Sequence, residues 1–341
     1  NFIAFLVRLH YIVFKVPRRF PRAPARGSLY IIPSPPPKVN PFFKKFCCFS
    51  SQPSISGTKR CFSVFATSIA RGYNNPKEIF NRMRSIHAPI GVFDSGLGGA
   101  SVLREALRLL PTENYIYYGD NAHAPYGDRP EAEITALTLA CIHKLVDMGC
   151  KAILVACNTA TANCIDAIRQ ELNVPVVSVE PAIRPACMAP GNGKVLMMAT
   201  LATTRLERYL ALQARMPDPN RVINIPCPGI VDRVEAGRFG DADFDDLFDQ
   251  YLAPYEGLNT DGIVLGCTHY VFISGAFRRA ARRHLTGPCR LYDGNEGTVR
   301  QLARVLEEHG ICNPSGNASV SFYTSGDPQQ VSPLFHALLA R

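Results

Sequence analysis

The feature that most constrains this chain is a regular alternation of short apolar strands and amphipathic helices, which begins near Ala88. Residues 89–93 form a short apolar segment, and residues 102–110 after it carry apolar side chains at helical spacing. The pattern continues to a last predicted strand at 319–323. Such alternation predicts βαβ units, and therefore an α/β fold with mostly parallel sheets. At 341 residues the chain is long enough for two domains.

Two of the predicted strands end in the same way. Residues 152–159 read AILVACNT and residues 262–269 read GIVLGCTH, so each strand is followed by a cysteine and two polar residues. Ligands of open α/β sheets bind outside the carboxyl ends of the strands, which is where Cys157 and Cys267 fall. The repeat is consistent with two such strand ends that face one another across a cleft between two domains.

The charge of the chain is unevenly distributed. No Asp or Glu precedes Glu78, whereas 13 of the 37 Lys and Arg residues do, so the remaining chain carries 24 basic and 28 acidic residues. We therefore expect no nucleic-acid partner for residues 78–341. The basic leader is typical of an organellar transit peptide, and upstream sequence translated by mistake is the alternative. The apolar run at 2–7 is too short to span a bilayer, so no membrane partner is expected.

The twelve cysteines give no sign of a metal site. The chain has no C-x-x-C pair and no H-E-x-x-H, which leaves a zinc site without support. Cys141, Cys150 and Cys164 lie in apolar surroundings and are expected to be small buried side chains. Cys157 and Cys267 differ because polar residues follow them at a predicted strand-to-helix turn. A helix N-terminus lowers the pKa of a thiol and also binds carboxylates.

Two opposed thiols suit racemisation. An enzyme that racemises without a Schiff base needs one group to remove a proton from the chiral carbon and a second group to return one on the other face. Cys157 and Cys267 are the candidates for these groups. His269 and Asp94 are placed to tune their proton affinities, while Asn158, Thr159 and Thr268 add short polar side chains for an anionic group.

The glycine-rich segment after the first strand allows a rival interpretation, a dinucleotide-binding loop. Its glycines are Gly96, Gly98 and Gly99, but the third glycine of G-x-G-x-x-G would fall at position 101, where Ser101 stands. Asp94 at the strand end would also repel a pyrophosphate and attract an ammonium group. Both arguments favour an amino-acid ligand over a nucleotide.

Four motifs in order carry a family resemblance: IGVFDSGLGG (90–99), YGDNAHAPYG (118–127), ACNTA (156–160) and GCTHY (266–270). Together they resemble the glutamate racemases of the aspartate/glutamate racemase superfamily, over residues 90–293. The resemblance implies that Cys157 and Cys267 are the paired acid/base residues, that no cofactor is needed, and that Glu235, His269 and Asp94 assist. The substrate contacts that it implies are Asp94, Ser95, Tyr126, Gly127, Asn158, Thr159, Thr268 and His269.

The same resemblance implies an organisation and a role. We expect a leader at 1–87, a first domain at 88–185 plus 291–341, and a second at 186–290, with the active site in the cleft between the domains. The product, D-glutamate, would supply peptidoglycan synthesis in the cytoplasm, or in an organelle if the leader is a transit peptide. A homodimer is one option for the assembly.

The sequence departs from the family pattern at His123, usually Arg, and at Val271, usually Pro. His269 favours glutamate, since aspartate racemases of the superfamily typically carry an acidic residue there. A racemase of another acid such as aspartate, or a non-catalytic relative that binds an amino acid, remain alternatives.

Overall fold

The computed structural model describes residues 86–341, which belong to one compact unit, Arg71–Arg341. The predicted leader at 1–87 therefore lies outside the described residues except for its last two positions. The described chain folds into two parallel sheets with helices packed on both faces of each.

The first sheet has five parallel strands in the order β10-β2-β1-β3-β4. The chain leaves β1 toward β2 on one side and later returns to β3 on the other, so the strand order reverses beside β1. A reversal of this kind opens a crevice at the carboxyl ends of the strands. These strands are β1 (Ile90–Asp94), β2 (Tyr115–Gly119), β3 (Ala152–Val155), β4 (Val176–Ser178) and β10 (Val320–Thr324).

The second sheet repeats this arrangement. Its order is β6-β5-β7-β8, with β9 also paired to β7, and all of its pairs are parallel. Here the strand order reverses beside β5, so β5, β6 and β7 correspond in position to β1, β2 and β3. These strands are β5 (Lys194–Ala199), β6 (Val222–Pro226), β7 (Leu258–Leu265), β8 (Leu285–Thr286) and β9 (Arg290–Tyr292).

Eleven α-helices of the described chain connect and cover the strands. They are α1 (Ala100–Leu109), α2 (Glu131–Asp147), α3 (Asn158–Glu171), α4 (Ile183–Met188), α5 (Leu201–Arg205), α6 (Glu207–Ala214), α7 (Ile230–Glu235), α8 (Asp245–Leu252), α9 (Ser274–His284), α10 (Asn295–Glu308) and α11 (Pro328–Leu339). Short 3-10 turns occur at Pro219–Arg221, Asp241–Phe244, Ala253–Tyr255 and Thr268–Ile273.

Each sheet is buried on both faces, which explains the continuous apolar runs of its central strands. In β1 and β3 every residue is buried. One apolar cluster packs between the first sheet and helices α1, α10 and α11, and another between that sheet and helices α2 and α3. Two further clusters cover the faces of the second sheet.

The predicted fold class, α/β with mostly parallel sheets, is confirmed. The predicted domain limits stay a prediction. Strand β9 adds to the second sheet, and the chain then enters α10, whose apolar residues pack on the first sheet. Among residues 86–341, the structure contains no helix that is long and apolar enough to cross a membrane.

Candidate active site

The predicted site residues lie where the strand order of each sheet reverses. Asp94 ends β1 and Cys157 follows β3, so these two residues share one crevice of the first sheet. Thr200 follows β5 and Cys267 follows β7 by two residues, which gives the second sheet the equivalent pair of positions. All four side chains are buried.

The first half of the site is centred on Cys157. Its thiol donates to Ser95 Oγ at 3.4 Å and accepts from the backbone N–H of Ala160 at 3.4 Å, so that the sulfur caps helix α3. Asp94 holds the preceding turn, because its carboxylate accepts from the backbone N–H groups of Ser95 at 2.8 Å and of Gly99.

Burial dominates the proton affinities in this half. It raises the pKa of the Cys157 thiol, with a further rise from the charge of Asp94, and the hydrogen bonds that the sulfur makes with Ser95 Oγ and the Ala160 N–H only partly oppose it. The helix N-terminus does lower the pKa of this thiol through the Ala160 N–H, as expected, but burial outweighs it, because removing a charged sulfur from water costs more than one capping bond returns. Burial likewise raises the pKa of Asp94, although the charge of His269 opposes the rise.

The second half of the site is a chain of three side chains. Cys267 Sγ lies 3.5 Å from His269 Nδ1, and His269 Nε2 lies 2.6 Å from Glu235 Oε1. Burial alone would lower the pKa of His269, but its hydrogen bonds with Cys267 and Glu235 raise that pKa well above its usual range. The raised pKa favours the protonated form of His269, which can stabilise negative charge on the neighbouring Cys267 sulfur.

Cys267 also differs from Cys157 in the element that comes after it. A 3-10 turn, Thr268–Ile273, begins directly after Cys267, and the Cys267 side chain makes no capping hydrogen bond. The structure therefore places only Cys157 at the N-terminus of an α-helix. In place of a helix N-terminus, the Cys267 sulfur has the His269 imidazole as its polar neighbour.

The glycine-rich segment of the first sheet closes against the second half of the site. A Cβ on Gly96 would overlap Glu235 Oε1, and a Cβ on Gly98 would overlap both His269 Nδ1 and Thr268 Oγ1. The N–H of Leu97 donates to Glu235 Oε1 at 2.6 Å. These glycines allow a close approach of two backbones, and the space in front of them is filled by protein side chains, which argues against a dinucleotide.

Further hydrogen bonds join the two halves. Thr268 Oγ1 donates to Asp94 Oδ2 at 3.4 Å, and Thr159 Oγ1 lies 3.0 Å from Thr200 Oγ1 and 3.4 Å from Thr203 Oγ1. Sequence reasoning missed Thr200 and Thr203. The signal was available, since Thr200 follows strand β5 as Asp94 ends β1.

Tyr126 and Gly127 are held by their surroundings in different ways. The Tyr126 hydroxyl donates to Asp120 Oδ2 at 2.6 Å, and His123 Nδ1 lies 2.9 Å from the other oxygen of that carboxylate. The Tyr126 hydroxyl thus uses its one proton on Asp120, so its hydroxyl could only accept from a ligand, while the backbone of this loop remains able to contact one. A Cβ on Gly127 would lie 3.0 Å from Thr200 Cβ, so this loop packs against the second sheet's half of the site.

The structure brings together every residue that the sequence nominated, with Asn158 and Thr159 on α3 beside Cys157. Asn158 Oδ1 is buried without a hydrogen-bond partner, which leaves an acceptor free for a ligand. In the part of the chain that the structure describes, no group of three or more His, Cys, Asp and Glu side chains is placed to hold a metal ion.

Comparisons with known proteins agree with this geometry. The family model for Asp/Glu/hydantoin racemases matches residues 90–302. A glutamate racemase of Clostridium perfringens is 42% identical over 226 residues, which cover 66% of this chain and 85% of that protein.

Solved structures give the same result. The crystal structure of glutamate racemase from Thermus thermophilus in complex with β-chloro-D-alanine is 35% identical, with a TM-score of 0.62, and the match covers 74% of this chain and 94% of that one. Glutamate racemase from Francisella tularensis in complex with D-glutamate is 29% identical, with a TM-score of 0.65, over 75% of this chain and 95% of that one.

Proposed function

The chain belongs to the Asp/Glu/hydantoin racemase family, and from this membership we propose that it interconverts L-glutamate and D-glutamate. The observation that carries the proposal is the pair of cysteines, one at the strand ends of each sheet, each with its own acid/base neighbours. Its partner in this reaction is a small-molecule substrate, as in the relative bound to D-glutamate.

The reaction needs two proton carriers. In one direction a thiolate removes the α-proton, and the second cysteine, as a thiol, donates a proton to the opposite face of the planar carbanion. In the other direction the roles reverse. The raised pKa of Cys157 favours its thiol form, which can donate a proton, and His269, whose pKa is also raised, can stabilise negative charge on the Cys267 sulfur.

The surrounding polar groups suit an amino acid. Asp94 is a buried carboxylate, and an ammonium group nearby would compensate its charge. Asn158 offers a free acceptor, and the hydroxyls of Ser95, Thr159 and Thr268 lie beside the cysteines. We propose that these residues, together with His269 and the backbone at Tyr126 and Gly127, contact the substrate, with Asp94, Glu235 and His269 assisting the proton carriers.

The test is an assay of the full chain without added cofactor, using each enantiomer of glutamate and of aspartate, with the reaction monitored by optical rotation. We expect glutamate to racemise and aspartate to react far more slowly. A folded protein that leaves both glutamate enantiomers unchanged would refute the proposal. Faster turnover of aspartate would reassign the substrate.

We also propose a cellular role that derives from the reaction. D-glutamate made in the cytoplasm would supply peptidoglycan synthesis, and a homodimer is the assembly to test by light scattering. The two domains are proposed to divide at 88–185 plus 291–341 and 186–290, with the substrate bound between them.

A further inference from the structure

Asn121 connects the acid/base groups of the second half of the site to the first sheet. It follows strand β2 by two residues and is half-buried. Its amide nitrogen donates to Glu235 Oε2 at 3.1 Å. Its amide oxygen accepts at 2.8 Å from the hydroxyl of Thr324, the last residue of strand β10. Neither Asn121 nor Thr324 belongs to the site that the sequence predicted.

The direction of these hydrogen bonds follows from the chemistry of the groups. An ionised carboxylate only accepts, so the amide nitrogen of Asn121 must face Glu235 and the amide oxygen must face Thr324. Thr324 Oγ1 accepts from the Gly326 N–H at 3.0 Å and donates its own proton to Asn121. Every group in this series therefore donates toward Glu235, an alignment in which neighbouring hydrogen bonds strengthen one another.

The two oxygens of the Glu235 carboxylate have different partners. Oε1 accepts from His269 Nε2 and from the Leu97 N–H, both at 2.6 Å. In the part of the chain that the structure describes, the one hydrogen-bond donor to Oε2 is Asn121. Glu235 and Asn121 both line a cavity of about 330 Å³. Without the amide, the carboxylate would be free to turn away from His269 into this space and be hydrated there.

The Asn121 side chain is itself held by close packing. A Cβ on Gly119 would lie 2.6 Å from Asn121 Oδ1, and a Cβ on Gly326 would lie 3.2 Å from Asn121 Cβ. These two glycines, at the end of β2 and in the turn after β10, thus make room for the side chain. Because it is confined on two sides, Asn121 can hold the carboxylate in one orientation.

The charge of Glu235 depends on the same contacts. Burial alone would raise the pKa of Glu235, but the hydrogen bond and charge of His269, with further hydrogen bonds from Leu97 and Asn121, hold that pKa below its usual range. The carboxylate is therefore ionised at neutral pH. Burial alone would lower the pKa of His269, and the hydrogen bonds with Cys267 and with this carboxylate raise it.

We propose that Asn121 is a positioning residue, which fixes the Glu235 carboxylate against His269. Its hydrogen bonds go to Glu235 and Thr324, so its effect on the Cys267 thiol passes through the carboxylate and the imidazole. A function for this arrangement rests on the proposed racemisation, in which Cys267 is one of the two proton carriers.

The test uses substitutions at both ends of the Asn121 amide. Asn121→Leu keeps the approximate shape of the side chain and removes its hydrogen bonds. Thr324→Val removes the hydroxyl that holds the amide oxygen, whereas Thr324→Ser keeps it. The matched control is Ser325→Ala. Ser325 Oγ accepts from the Ala122 N–H at 3.1 Å, so it joins the same turn to the same loop without reaching Glu235.

The primary measurement is the pKa of His269 in the full chain, by NMR titration with ¹³C-labelled histidine. The His269 signal is assigned by its absence in His269→Gln. The titration requires no turnover, and the pH profile of kcat/KM is the second measurement. All of these variants except the assignment variant leave in place the other titratable groups that face His269 or Glu235, which are Cys267 after β7, Asp94 at the end of β1, Tyr117 on β2 and Asp232 on α7.

We expect the pKa of His269 to fall by about half a pH unit in Asn121→Leu, because a carboxylate that has turned away favours the imidazolium less. The fall should be smaller in Thr324→Val and absent in Thr324→Ser and Ser325→Ala. The descending limb of kcat/KM should move to lower pH by the same amount as the pKa. Adding Asn121→Leu to Glu235→Gln should not lower the pKa of His269 further, since the effect passes through that carboxylate.

An unchanged pKa of His269 in Asn121→Leu would overturn the proposal. An equal fall in Ser325→Ala would also overturn it, because the cause would then be a loosened loop, and so would a further fall on top of Glu235→Gln. If Asn121→Leu does not fold, the comparison of Thr324→Val with Thr324→Ser decides. A chain that does not racemise glutamate would still give each of these results, so failure of this proposal leaves the proposed racemase function standing.

Discussion

Cys157 and Cys267 occupy equivalent places on the two sheets, yet they depend on different neighbours. Cys157 caps an α-helix and faces Ser95, whereas Cys267 faces His269 and, through it, Glu235. Burial raises the pKa of Cys157 and the hydrogen bonds of His269 raise the pKa of that imidazole. The two thiols thus lie in different proton-binding environments, which suits a reaction with one proton donor and one proton acceptor.

Replacing either cysteine should remove racemisation. Without its proton carrier, Cys157→Ala or Cys267→Ala should lower kcat at least about a hundredfold. Circular dichroism should show an unchanged fold, since alanine fits where a thiol did. Cys164→Ala is the control, because this buried cysteine donates to the Ala160 carbonyl and has no part in the proposed site. Near-normal turnover in either single variant would exclude the two-base mechanism.

Glu235 should control the high-pH side of the activity profile. Its hydrogen bond and charge help to raise the pKa of His269, so Glu235→Gln should lower that pKa. The imidazolium is the form present below its pKa, and the variant should lose it at lower pH. The descending limb of kcat/KM should therefore move toward lower pH.

The control for this experiment is Asp232→Asn, which removes an exposed carboxylate from the same helix, α7. Its pH profile should overlay that of the unmodified chain. If the descending limb of Glu235→Gln stays in place as well, His269 does not set it.

At the scale of elements, the glycine-rich turn between β1 and α1 is the part that brings the two sheets' halves together. Gly98→Ala would place a methyl group against His269 and Thr268. We expect this variant to lose at least about tenfold in kcat/KM and about 1–3 kcal/mol of unfolding free energy. The reason is that Thr268 and His269 would have to move away from the turn to make room for the methyl group. Urea titration and the racemase assay measure the two effects.

Gly297→Ala is the matched control for that experiment. This exposed glycine lies in helix α10, and an added Cβ meets nothing within 4 Å. Alanine is the better helix former, so the control should keep its activity and gain slightly in stability. Full activity in Gly98→Ala would mean that the turn does not position His269.

Most of the central strands could be predicted because they are continuous apolar runs. The apolar segment at 89–93 is strand β1, Ile90–Asp94, and the last predicted strand at 319–323 is β10, Val320–Thr324. Helices α4 and α7 were not predicted, since six residues are too few to show a helical period.

The site could be predicted where a motif marks a strand end, and not where tertiary contacts decide. The contact between Thr159 and Thr200 joins residues far apart in the chain, so no local pattern reveals it. The commitment of the Tyr126 hydroxyl to Asp120 is likewise a product of loop packing. The pKa of Cys157 depends on how much protein surrounds the sulfur, which a sequence does not state.

At the scale of the whole molecule, the site residues all lie between Asp94 and His269. We therefore predict that a chain starting near Lys77 matches the full chain in kcat/KM. Residues 1–77 carry no acid and none of the motifs. The racemase assay of the two purified chains, run side by side, tests this prediction. A large loss of kcat/KM on truncation would show that the leader contributes to the activity.

The origin of the hydrogen at the α-carbon tests whether both halves of the molecule act together. If one thiol removes a proton and the other donates one, racemisation of D-glutamate in D2O must place deuterium at the α-carbon of L-glutamate. The label should be complete in the earliest product, before the substrate pool itself becomes labelled. Proton NMR of each enantiomer measures this directly.

A single base would give a different result, because the same group would carry the substrate's own proton from one face to the other. Cys157 and Cys267 belong to different sheets, and each has its own hydrogen-bond partners. A proton taken by one thiol cannot be returned by the other within the same turnover. Substantial unlabelled L-glutamate at early times would therefore exclude the assignment of the two cysteines to opposite faces, even if both alanine variants were inactive.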